Sequence, residues 1–155
     1  MAQTADLSTT IVETLYCEAL DLADEVRSAF DRSGRLSAVA EDEDLARIAL
    51  SCEALRTTTR VMHAIAWLLN QRAYLSGELT EFQLRRHGRL PLDRSAPASD
   101  HRDLLPPGFG ELIDRSMRFY ARIERLDRAW RARFEMQPAA IHRLRERLGV
   151  AVAGI

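Results

Sequence analysis

Five side chains at helical spacing, Arg56, Arg60, His63, Trp67 and Tyr74, form the most chemically loaded group in the sequence. At about 100° per residue, the last four project within about 40° of Arg56. Two arginines one turn apart offer paired forks to carboxylates, and a tryptophan beside them supplies the large amphipathic surface common at protein interfaces. The same five residues also suit a structural role, in which the arginines pair with acids of a preceding helix, such as Asp21 or Glu25, and Trp67 enters the core. Both readings stay open on the sequence. The rest of the chain is poor in chemistry. His63, His87, His101 and His142 are scattered over a helix, a loop and a tail, which makes a weak basis for a metal site. Cys17 and Cys52 lack Cys-x-x-Cys spacing and read as small buried apolar residues. A Cys–His nucleophile would require the fold to bring one of them to His63. Gly-rich phosphate loops, helical metal motifs and nucleophile elbows do not occur in the sequence. The expectation is a protein that is not an enzyme and uses no cofactor.

The polar group needs a long helix to carry it. Over about 42–75, Leu45, Ile48, Cys52, Leu55, Thr59, Met62, Ala66, Leu69 and Ala73 recur at alternating steps of three and four, a heptad-like seam. A second apolar row, Leu50, Val61, Ala64, Leu68 and Leu75, lies roughly 160° around the same helix. Two such rows predict either a helix buried at the centre of a bundle or one row packed internally with the other meeting a second subunit. The preferred expectation is a homodimer with the second row as its contact. Thr57, Thr58 and Thr59 are unusual in mid-helix, and Thr59 is expected to bond back to the preceding turn inside the seam.

Two more helices are predicted around this one. Val12, Leu15, Ala19, Leu22, Val26 and Phe30 mark a helix over about 8–32, capped by Ser8 or Thr9 and ended by Ser33-Gly34. The acidic run Glu41 to Asp44 suits the start of the central helix, and Ser76-Gly77 closes it. Thr80 can cap a short turn within Leu79 to Arg86, and Gly88, Pro91, Pro97, Pro106 and Pro107 then predict a loop. Phe109, Leu112, Ser116, Phe119, Ile123, Leu126 and Trp130 mark the third helix, over about 108–135. Its outer face pairs Glu111 with Arg115, Asp114 with Arg118, Glu124 with Arg128 and Asp127 with Arg131 at four-residue separation. Pro138 is expected to break it, leaving 138–155 as a mobile tail with one Arg-rich turn, Ile141 to Leu148. The predicted fold is all-α: an antiparallel three-helix bundle with a long central helix over 1–137, with 76–107 as its loop.

The 155 residues suffice for one such domain. All 22 basic residues are arginine, and a net charge of −1 argues against broad capture of nucleic acid or anionic membrane. A DNA-associated regulator using the arginines of the third helix and the tail is the alternative. Their carboxylate neighbours favour a solvated, ion-paired surface instead. No stretch is apolar enough to insert into a membrane and the start carries no signal core, so a cytoplasmic location is expected.

Two segments carry a resemblance. Glu53 to Thr80, EALRTTTRVMHAIAWLLNQRAYLSGELT, and Gly108 to Trp130, GFGELIDRSMRFYARIERLDRAW, are similar to the RcdA family of alphaproteobacteria. At Thr57 and His63 the chain departs from the family's commoner leucine and glutamine. The resemblance implies a homodimeric three-helix adaptor of cell-cycle proteolysis that helps deliver substrates such as CtrA to the ClpXP protease. It also implies ClpX, CpdR-like and PopA-like proteins as partners. Tethering of this kind raises the local concentration of a weakly held substrate, so modest contacts suffice.

Overall fold

The computed structural model describes the backbone of residues 2–37, 44–93 and 102–153, and the side chains of 7–33, 44–93 and 102–133. The described residues form helices and connecting segments, without a strand: α1 (Ala2–Ser37), α2 (Asp44–Leu75), α3 (Glu81–His87), a 3-10 turn (Arg102–Leu104) and α4 (Phe109–Ala153). The chain divides into two compact units, Met1–Ala121 and Arg122–Ile155, and α4 supplies residues to both.

Within the first unit α1 packs along α2. It buries Val12, Leu15, Ala19, Leu22 and Val26, the row its spacing predicts. Near one end of the pair, the Arg72 guanidinium lies 4.6 Å over the Tyr16 ring and its Nε donates to Glu13 at 2.7 Å. Towards the other, Val26 and Phe30 share a cleft with Thr58 and Val61. The Phe30 ring meets Phe109 of α4 edge-on, with centroids 5.0 Å apart.

Element ends follow local chemistry. Leu75 ends α2 in a Schellman motif, with the Glu78 N–H donating to Ala73 O at 2.8 Å and the Gly77 N–H to Tyr74 O at 3.1 Å. Gly77 takes φ +82°, a conformation that costs residues with a Cβ. Thr80 and Gln83 form a capping box at the start of α3. Gly88 follows α3 so closely that a Cβ there would stand 2.6 Å from Leu84 Cδ1.

Three helix limits differ from the sequence expectation. α1 starts at Ala2, so Ser8 and Thr9, the expected caps, lie within the helix. α1 passes through Ser33-Gly34 to Ser37, because a glycine inside a helix costs only about 1 kcal/mol and does not by itself stop one. α4 passes through Pro138 to Ala153 where a break was expected. The proline removes one backbone bond, and the alanine, leucine, arginine and glutamate that follow are strong helix formers. Glu41 to Glu43 of the acidic run, Pro97 and His101 of the loop, and residues 154 and 155 lie outside the described residues.

Candidate functional site

The five polar residues of α2 do not form one exposed surface. Arg60 and Trp67 are buried, at 4% and 2% exposure, while Arg56, His63 and Tyr74 are half-buried. Arg60 Nε donates to Asp93 Oδ2 at 2.8 Å, and Arg60 Nη1 donates to Ser116 Oγ of α4 at 2.9 Å. The Ser116 hydroxyl in turn donates to Ile113 O at 2.7 Å. Arg60 thereby ties α2 both to α4 and to the strap Gly88–Asp93, whose Leu90 is buried and whose Pro91 carbonyl accepts from the Tyr120 hydroxyl. Arg56 is held by Glu53 of its own helix at 2.8 Å. Neither arginine pairs with Asp21 or Glu25 in these contacts, and Glu25 is bonded to Arg115 instead.

The second apolar row also lies elsewhere than expected. Leu50, Val61, Ala64 and Leu68 are buried inside the chain and Leu75 is half-buried, so this row has no free face for a second subunit. Buried positions on α2 repeat at 50, 53, 57, 60, 64, 67 and 71, again at steps of three and four, and include Glu53, Thr57, Arg60 and Gln71. The expected inner seam is on the outside. Leu45, Ile48, Leu55, Met62 and Leu69 are exposed, Leu55 to 70%, and Cys52, Thr59 and Ala66 between them are exposed as well. The reversal follows from Arg60: once its partners on α4 and the strap are included, the polar row is the one with something to bond.

Several smaller expectations change with it. Cys17 and Cys52 are exposed free thiols, not buried ones. Thr59 is outside, and the buried threonine is Thr57, whose hydroxyl has no protein partner. Of the four ion pairs expected on α4, Glu124–Arg128 and Asp127–Arg131 form, at 3.7 and 2.9 Å. Asp114 instead receives Arg102, and Arg115 reaches α1. The Arg115 pKa is raised above its ordinary value by the hydrogen bond to Glu25, with Glu25, Glu111 and Glu18 adding attraction and desolvation partly opposing. Both partners are about half exposed, so the pair adds little to stability.

The site that remains is the uncovered side of α2 together with the α1–α2 groove beside it. A cleft of about 440 Å³ lies there, lined by Thr9, Glu13, Leu69, Arg72, Ala73 and Ser76 among others. Another of about 320 Å³ is lined by Ala23, Val26, Phe30, Thr58, Val61 and Met62 among others. Among the described residues no group of three or more His, Cys, Asp and Glu side chains is placed to hold a metal ion. The site's chemistry is apolar contact bordered by ion pairs. Among the same residues, no helix is long and apolar enough to cross a membrane.

The profile of one family, DUF1465, described as a protein of unknown function, matches residues 3–152. The chain belongs to this family. The match spans α1 to α4 in a single stretch and includes both segments that carry the RcdA resemblance. No curated protein and no solved structure matches the chain.

Proposed function

We propose that this member of the DUF1465 family is a cytoplasmic, non-enzymatic adaptor of regulated proteolysis, an antiparallel three-helix bundle that works as a homodimer. In this reading it holds cell-cycle substrates such as CtrA close to ClpXP, together with CpdR-like and PopA-like partners. The observation that carries it is the uncharged, mainly apolar row on the outside of α2, which faces solvent opposite the polar-pinned interior. An exposed, uncharged row of this length with five large apolar side chains marks an association surface rather than a reaction centre. The similarity of Glu53–Thr80 and Gly108–Trp130 to the RcdA family supplies the partners.

The test is reconstitution. Purified chain added to ClpXP, CtrA and the CpdR-like and PopA-like proteins is expected to accelerate CtrA loss, and the immobilised chain is expected to retain ClpX or the CpdR-like protein. No acceleration and no retention would overturn the adaptor reading. Tight duplex-DNA binding with a steep salt dependence would favour a nucleic-acid function instead.

A further inference from the structure

We infer that the exposed row of α2 pairs with the same row of a second copy running in the opposite direction, with the two-fold axis beside Thr57. The inference rests on the dimeric reading above, and it specifies the face, the direction and the register.

The row is Leu45, Ile48, Cys52, Leu55, Thr59, Met62, Ala66 and Leu69, about 36 Å of helix without a charge in the seam. Its side-chain sizes decide the direction. In a parallel pair each residue faces itself, so Cys52, Thr59 and Ala66 would form thin layers between the bulky Ile48, Leu55, Met62 and Leu69 layers. In an antiparallel pair centred beside Thr57, Ile48 faces Ala66, Cys52 faces Met62 and Leu55 faces Thr59. Every inner layer then joins a large side chain to a small one, and Leu45 with Leu69 closes each end. Close packing favours that alternation.

Charges at the edges agree. The same register brings Asp44 of one copy beside Arg72 of the other, twice by symmetry, and flanking charges of this kind set orientation between paired helices. Asp44 is 82% exposed, and Arg72, bonded to Glu13 and lying over Tyr16, keeps 40% of its side chain open for a carboxylate of the second copy. The two Arg56 side chains that meet over the axis are each neutralised by Glu53 of their own chain.

Cys52 makes the direction measurable. In full-length protein carrying Cys17→Ser, mild oxidation is expected to leave Cys52 uncrosslinked, because antiparallel pairing sets the two thiols about ten residues apart along the helix, roughly 15 Å. Adding Met62→Cys is expected to give a disulfide-linked dimer. Asp44→Arg and Arg72→Asp are each expected to weaken self-association about tenfold, as two exposed ion pairs lost together would, and the double variant to restore it. Restoration separates a cross-subunit contact from a structural one, because Arg72→Asp breaks the pair with Glu13 in either background. A monomer in light scattering at micromolar concentration overturns the inference, as does Cys52 linking to itself or a dimer that Met62→Cys fails to link. The readout needs no protease, so an intact antiparallel dimer that fails to retain ClpX counts against the adaptor alone. A monomer that retains ClpX counts against the dimer alone.

Discussion

Arg60 holds three stretches of chain that are far apart in sequence, and its guanidinium has no room to find water instead. Arg60→Met removes the donor to Asp93 and Ser116 together. The buried hydroxyl keeps its bond to Ile113 O, and Asp93, 28% exposed, can be solvated. The expected loss is therefore about 2 kcal/mol, below the 3–5 kcal/mol typical of breaking a fully buried pair, read as a lower urea midpoint. Thr57 predicts the opposite sign. Its side chain is fully buried with an unpaired hydroxyl, and Thr57→Val keeps the shape while removing that group. A gain of about 1 kcal/mol is expected, raising the Tm by roughly 2–4 °C. Sequence pattern could not single out Thr57 among three adjacent threonines, because hydropathy ranks them equally and only the partners of α2 decide which turns inward. Glu53, Arg60 and Gln71 were hidden for a related reason. A polar residue reads as outward until the group that satisfies it is known; for Arg60 a structural role is one of two readings open on the sequence, but its partners are Asp93 and Ser116 rather than an acid of α1.

At the scale of the element, sequence and structure agree where a boundary is set by local bonds. The Gly77 motif and the Thr80–Gln83 box are each complete within a few residues, so the end of α2 and the start of α3 were legible. Thr80→Ala is expected to cost about 1 kcal/mol, seen as faster amide exchange in α3. The limits of α1 and α4 were not legible, because Gly34 and Pro138 are penalties that the rest of a long helix outweighs. Pro138→Ala should strengthen α4 by up to about 3 kcal/mol locally and slow exchange on both sides of the site. Unchanged exchange there would mean that the proline imposes no strain on the helix. The two rows of α2 show a limit of a different kind. Both repeat at three and four, and periodicity finds the rows without saying which one is inside.

For the whole molecule, the inside and outside rows predict two contrasting variants. Leu68 is fully buried, so Leu68→Glu should unfold the chain, whereas Leu55, 70% exposed, should accept Leu55→Glu with native helicity and lose only self-association. Circular dichroism and light scattering on the same samples separate these outcomes. A dimer joined by that row also has a Tm that rises with protein concentration, by mass action. The Arg60 pin has one more consequence, in time. Its bonds close loops of 33 and 56 residues, so they lose more chain entropy on forming than the bonds within a helix. A contact so costly to close is expected to form late, so Arg60→Met should leave the folding rate nearly unchanged while unfolding speeds up about thirtyfold in stopped-flow traces. That outcome would make Arg60 the determinant of the folded chain's lifetime, with the helices on either side of it setting how quickly that state is reached.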